Sequence, residues 1–279
     1  GLLLLVLAGA AFLRLYRLGQ IPPGLTHDEA SNGHDGAWVL RGVRPLYFTV
    51  GYGHEPLYPY SVAAVMAFLG PTLLALRLTS VAWGLLNVCL TYFLARRLFG
   101  RGVALAAAAA LSVSFWGVMT SRVGLRAVTL PPLLTAAMCC IGTYGFSETA
   151  DRRRVAVGWL AAGFFLGLSL YTYMASRAMP LLLVALPTVS CLSRRRLCRQ
   201  VWGGAVLALL MALLVASPLL VYLATHPGAE QRIAQLGGPL REAAHGNLAP
   251  LWERVESTLP MLVYGGDPLW LYNLPGRPL

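Results

Sequence analysis

The stretch P-T-L-L-A-L-R-L-T-S-V-A-W-G-L-L-N-V-C-L-T-Y-F-L-A-R-R-L-F-G-R, Pro71 to Arg101, decides what kind of chain this is. From Thr72 to Ala95 it carries a single charge, Arg77, and as a helix it is long enough to cross a hydrocarbon layer about 30 Å thick. It ends in Arg96, Arg97 and Arg101. Two more blocks, Arg152 to Arg154 and Arg194 to Arg196 with Arg199, also lie between apolar runs. The chain has no lysine, 22 basic residues against 11 acidic ones, and a formal net charge of +11. Such a balance alone would suit nucleic acid. Arginines gathered between apolar runs instead follow the positive-inside pattern of a polytopic membrane protein, so no nucleic-acid partner is expected.

Working outward, the apolar runs are Gly1 to Leu13, Thr72 to Ala95, Val103 to Thr120, Val128 to Phe146, Ala156 to Met174, Ala178 to Leu192 and Val201 to Thr225. The pattern predicts an all-α fold, a polytopic transmembrane helix bundle of about seven spans, with all three arginine blocks on one side. Leu57 to Leu69 is too short to cross and reads as an interfacial or re-entrant helix. Residues 1–225 form the expected membrane core, with 17–56 as its external loop. Residues 226–279 form an external segment ending in Tyr272 to Pro278, which has the composition of a shaped loop. The short first run and the abrupt end suggest a piece of a longer chain. The five cysteines, Cys89, Cys139, Cys140, Cys191 and Cys198, give neither a disulfide framework nor metal spacing and read as small buried residues.

Against this background one polar segment stands out, T-H-D-E-A-S-N-G-H-D-G-A-W-V-L-R-G from Thr26, closing in G-Y-G-H-E-P-L at Leu57. It holds Asp28, Glu29, Asp35 and Glu55 together with His27, His34 and His54. Ionisable groups wedged between lipid-compatible runs are the first place to look for function. Thr26 with Glu29 three residues on fits a capping box, and Gly42 is a stop, so Thr26 to Arg41 is predicted helical. Asp28, Asn32 and Asp35 then share a face, with Asp28 in the first turn, where the helix dipole favours a carboxylate.

The alternation puts this segment, the Ser121 to Arg126 turn, the Tyr171 to Arg177 turn and the tail on the same side, where they can line one cavity. Asp28 is suited to act as a general base, with Glu29 beside it. Glu55 is placed to orient a sugar hydroxyl or a metal, and His54 to meet a phosphate. Arg122 and Arg126, four apart, would share a helix face; with Arg177, Tyr171 and Tyr173 they would form a substrate-binding group for a phosphate. No compact metal-ligand spacing occurs, so a divalent metal is only a weak signal and no cofactor is expected. Arg77, inside a span, is expected to pair with an acid of the polar segment.

Several runs resemble the membrane glycosyltransferases of the C superfold, and within them family 39, the protein mannosyltransferases and lipid A aminoarabinose transferases. They are L-R-L-Y-R-L-G-Q-I-P-P-G-L-T-H-D-E-A (Leu13 to Ala30), G-H-E-P-L-Y (Gly53 to Tyr58), F-L-G-P-T-L-L-A-L-R-L-T-S (Phe68 to Ser80), A-R-R-L-F-G-R (Ala95 to Arg101), S-F-W-G-V-M-T-S-R-V-G-L-R (Ser114 to Arg126) and Y-N-L-P-G-R-P (Tyr272 to Pro278). The resemblance implies a multi-pass cell-membrane enzyme of about a dozen spans with its active face external or periplasmic. It implies a polyprenyl-phosphate sugar donor, a lipid, protein or glycan acceptor, and Asp28 as catalytic base with Glu29 adjacent. His54-Glu55-Pro56 departs from the H-P-P or K-P-P of many members. A transporter or lipid flippase, and a non-catalytic lipid-binding scaffold, are the rival readings.

Overall fold

The computed structural model describes residues 1–145, 151–193, 198–231 and 237–260. The Arg194 to Arg196 block and the Tyr272 to Pro278 loop lie outside them. In chain order the helices are α1 (Leu2–Leu15), α2 (His27–Leu40), α3 (Leu57–Leu69), α4 (Leu73–Phe99), α5 (Arg101–Val113), α6 (Phe115–Arg122), α7 (Leu130–Cys140), α8 (Arg152–Ser169), α9 (Pro180–Ser193), α10 (Cys198–Thr225), α11 (Gly238–Ala244) and α12 (Ala249–Pro260). Short 3₁₀ turns cover Arg126–Thr129 and Met174–Ala178, and among the described residues there is no strand.

Among the described residues four stretches are long and apolar enough to cross a membrane: Leu73–Phe99, Arg126–Thr143, Met174–Leu192 and Arg199–Thr225. A fifth is the α5 and α6 pair taken together, bent by 55°. The bend falls at Ser114, whose hydroxyl accepts from the Gly117 amide and so starts a new helix inside what the sequence presents as one run. Seven spans were expected. The first of those runs is the 14-residue α1, and the run beginning at Ala156 belongs to an 18-residue helix opened by three arginines, which lowers its mean hydropathy.

Helix α4 is the axis of the bundle and packs against α1, α3, α5, α6 and α7. It is started by Thr72, whose hydroxyl accepts from the Ala75 amide, and stopped by Gly100 at φ 86°. At that end Arg97 donates to the carbonyls of Gly142 and Thr143, tying the first arginine block to the foot of α7. The α8 and α10 pair is the closest contact. A Cβ on Gly163 would sit 2.3 Å from the Ala208 carbonyl oxygen, and one on Gly167 would sit 2.7 Å from that of Ala212, so only glycine admits this approach. Trp159 fills the groove beside Gly204 and is fully buried. Cys191 is disulfide-bonded, unlike the small buried residue expected; Cys89, Cys139 and Cys140 are free and half-buried.

Residues 1–50 and 54–226 form one compact unit. The second unit comprises 51–53 and 227–279; within it α11 and α12 pack on each other and neither buries a residue.

At the other end of α4, Arg77 and Glu29 are both sealed from solvent, at 0% exposure, with Arg77 Nε 3.0 Å from Glu29 Oε1. The remaining Arg77 protons go to the carbonyls of Leu18, Pro22 and Gly24 and to Glu29 Oε2. Breaking one partner of a buried pair typically costs about 3–5 kcal/mol, because the survivor stays buried and uncompensated. Glu29→Gln is therefore expected to lower the thermal midpoint of the purified protein by several degrees, and Arg77→Met by at least as much; an unchanged midpoint in both would show that the pair does not hold the fold.

Candidate functional site

The polar segment is built around α2. Thr26 Oγ1 accepts from the Glu29 amide and Glu29 Oε2 accepts from the Thr26 amide, each at 3.2 Å, so the capping box is present. Gly42, at φ 102°, follows the last turn. The face turned into the bundle carries Glu29, Asn32, Asp35, Gly36 and Val39. Gly36 is required there, because a Cβ would lie 2.5 Å from Val62 of α3.

The second turn meets the first at Gly124. Its amide donates to Glu29 Oε1 at 3.0 Å and its carbonyl accepts from Asn32 Nδ2 at 2.8 Å. A Cβ on Gly124 would strike the Leu76 side chain at 2.6 Å, so glycine allows this seat. The third turn meets both others. The Leu57 amide donates to the Tyr171 carbonyl at 2.9 Å, Arg177 Nη2 lies 3.8 Å from Glu55 Oε1, and the Arg126 guanidinium sits 5.8 Å from the Tyr173 ring centre. Three turns far apart in sequence thus converge at one end of the bundle.

Within this cluster the expected residues divide into exposed and buried ones. Asp28 is exposed, its side chain 57% accessible at the first turn of α2, with His27 Nδ1 3.8 Å away. Asn32 and Asp35 are buried while Asp28 is not, which splits the shared face expected for the three. Glu29 is buried, and its oxygens serve Arg77, Thr26 and Gly124. Arg122 is likewise buried. Nη1 donates to the carbonyls of Leu13 and Arg14, and Nη2 to those of Tyr16 and Ile21, which caps the C-terminal end of α1. The Tyr171 hydroxyl donates to the Val215 carbonyl of α10 at 2.9 Å.

His54 is buried. Its Nε2 is 2.8 Å from Asp35 Oδ2, and its ring stacks on Phe48 with centres 5.2 Å apart. Its backbone also pairs with that of Phe48 in both directions. The aspartate partner of His54 could not be foreseen, since the two lie 19 residues apart in a segment rich in both types. Arg126, Tyr173, Arg177 and Glu55 are brought together as one patch, with Arg177 35% exposed. Among the described residues no group of three or more His, Cys, Asp or Glu side chains is arranged to hold a metal ion.

Burial raises the Glu55 carboxyl above its ordinary value of 4.5, against the pull of its own backbone amide, Arg126, Arg177 and His54. A raised value in the folded state means that ionised Glu55 opposes folding. The stability it lends is full below 4.5 and is lost as pH rises through the raised value. Glu55→Gln is expected to melt higher than the wild type at pH 7, with the gap closing as the pH is lowered toward 4.5; a gap that widens on acidification would contradict this.

Helices of membrane-crossing length, with three polar turns gathered at one end of the bundle, define a multi-pass helical membrane protein. The profile of the dolichyl-phosphate-mannose-protein mannosyltransferase family matches residues 53–222, more than half of the chain, which therefore belongs to that family. An undecaprenyl phosphate-alpha-4-amino-4-deoxy-L-arabinose arabinosyl transferase of Pseudomonas aeruginosa (strain UCBPP-PA14) is 31% identical over 187 residues, which is 65% of this chain and 33% of that protein. The chain thus spans about a third of the length of the curated relatives it matches. The fold is similar to ArnT from Cupriavidus metallidurans bound to undecaprenyl phosphate, with TM-score 0.65, 15% identity and coverage of 84% of this chain and 42% of that one. It is also similar to the Saccharomyces cerevisiae protein O-mannosyltransferase Pmt1-Pmt2 complex bound to the sugar donor, with TM-score 0.62, 21% identity and coverage of 82% and 34%.

Proposed function

We propose that the protein transfers a sugar from a polyprenyl-phosphate donor to a lipid, protein or glycan acceptor at the external or periplasmic face of the cell membrane, with inversion at the anomeric carbon. The observation that carries this reading is the layout along α2. Asp28 is exposed at its N-terminus, and about two turns further on, at Asp35, the helix reaches His54 and with it the Glu55, Arg126 and Arg177 patch. Seven residues of helix rise about 10 Å, a span that suits a glycosyl phosphate laid between a base and a cationic patch.

In the proposed reaction the acceptor oxygen or nitrogen attacks the anomeric carbon on the face opposite the phosphate. The bond from that carbon to the phosphate oxygen breaks, and the acceptor proton passes to the Asp28 carboxylate. Polyprenyl phosphate departs with the bonding pair, its charge met by Arg126 and Arg177. Glu55 holds the two guanidinium groups apart and aimed while the site is empty, and Tyr173 supports Arg126 from below its plane. Arg122 and Glu29 act only by fixing the backbone that carries these groups. Homology to a polyprenyl-phosphate-dependent sugar transferase supports the donor class.

Asp28→Asn is expected to abolish transfer from a labelled polyprenyl-phosphate sugar, by at least about a hundredfold, while leaving the thermal midpoint and donor binding close to wild type, because the side chain is exposed. Near-normal turnover would remove Asp28 from the mechanism. The arginines should separate. Arg126→Ala weakens donor binding with little loss of stability, whereas Arg122→Ala melts earlier and, where it stays folded, binds donor normally; the reverse result would return the phosphate to Arg122.

A further inference from the structure

Beside the Arg122 cap, on the bundle side of α1, lies a cavity of about 110 Å³ that the proposed transfer does not use. Its polar lining is Arg14, Asn87, Thr120 and Ser121, and Pro131 on its wall is exposed at the surface. The volume is several times what one water needs, roughly 10–15 Å³ on the same measure. Arg14 is 1% exposed. Its Nη1 donates to the carbonyls of Ala10 and Ser112, but its Nε is buried with no partner. The glycines at 84 and 117 leave that edge uncovered: a Cβ on Gly84 would lie 3.4 Å from Nε, and one on Gly117 would lie 3.6 Å from Nη2.

Among the described residues no carboxylate pairs with this charge. No acidic residue occurs between Glu55 and Glu148, a stretch that supplies every cavity-lining residue except Arg14, and α1 has none either. Glu29 is committed to Arg77. A buried guanidinium without a counter-charge is strongly disfavoured, so the cavity calls for an anion. The other groups narrow its kind. The Thr135 hydroxyl has one proton, shared between the Pro131 carbonyl at 2.8 Å and Asn87 Oδ1 at 3.2 Å, and the Asn87 amide nitrogen can turn its protons to a ligand. Thr120 and Ser121 give their protons to the carbonyls of Trp116 and Gly117, so they offer only lone pairs. Donors on Arg14 and Asn87 facing acceptors on Thr120 and Ser121 match a singly charged tetrahedral oxyanion that keeps one O–H; the Nε and Nη2 edge of a guanidinium suits two of its oxygens.

We propose that this cavity binds a phosphate group in its monoanionic, singly or doubly protonated form, supplied either as inorganic phosphate or as the end of a lipid phosphate. The site stands apart from Asp28 and holds whichever way the sugar-transfer assay falls. The test is the thermal midpoint of the whole purified chain in detergent, with inorganic phosphate or dodecyl phosphate added against chloride of equal ionic strength. Wild type is expected to rise by about 2–4 °C near saturation, and Asn87→Leu and Arg14→Gln to lose that rise. A rise with inorganic phosphate identifies a free anion as sufficient; a rise with dodecyl phosphate alone identifies a lipid source. If Arg14→Gln does not fold, Asn87→Leu, which spares the Arg14 contacts to Ala10 and Ser112, decides alone. No rise in wild type, or the same rise in Asn87→Leu, would overturn the proposal and leave the cavity to solvent.

Discussion

A carboxylate from α2 and a guanidinium from α4, withdrawn together from solvent, set the position of everything at the polar end of this bundle. Isolated, either charge would be expelled from such a place, since the desolvation penalty is several kcal/mol per ion even after relaxation. Here the pair is complete. Arg77 spends all of its donors on Glu29 and on three carbonyls of the α1 to α2 connection, and Glu29 also takes the amides of Thr26 and Gly124. The capping box, the incoming loop and the second turn are thus fastened to one point. Asp28, the next residue before Glu29, is carried outward by the same helix geometry that carries Glu29 inward.

The arginines of this lysine-free chain divide the work among themselves. Their planar, five-donor head can gather several carbonyls at once, which an ammonium cannot do with the same fixed geometry. Arg77 and Arg122 use that property to bind the backbone between Leu13 and Gly24, and Arg97 uses it at the far end of α4. Arg126 and Arg177 instead face Glu55 and Tyr173, where a ligand can compete for them. Spacing does not separate these roles. Arg122 and Arg126 are four residues apart, but α6 ends at Arg122, Val123 and Leu125 are extended, and a new 3₁₀ turn starts at Arg126. The two side chains therefore leave the chain in different directions.

The proposed catalytic layout depends on this distinction between holding and acting. Residues that look equivalent in the linear pattern, such as Asp28 and Glu29, are placed on opposite sides of a burial boundary. The buried member gives rigidity, and the exposed member keeps a carboxylate available without the cost of desolvating it. His54 and Asp35 repeat the same economy further along α2, closing the Phe48 to His54 bridge over a helix face that faces the bundle.

Apolar run lengths, arginine blocks and capping residues are properties of short windows, and they were enough to determine the helical membrane class, the capped α2, the acidic partner type for Arg77 and the gathering of the three polar turns at one end. The break at Ser114 and the fates of Glu29, His54, Arg122 and Tyr171 were settled only in three dimensions. Each depends on which backbone carbonyls or amides lie within reach, and those come from residues as much as 109 positions away. Arg14 is the sharpest case, since the apolar run ends at Leu13 and leaves it outside, whereas the packing of α1 on α4, α5 and α6 buries its charge. Local pattern governs which segments are helical because hydrogen bonds inside a helix are local; whether a charged side chain acts or merely holds is governed by burial, and burial is a property of the assembled bundle.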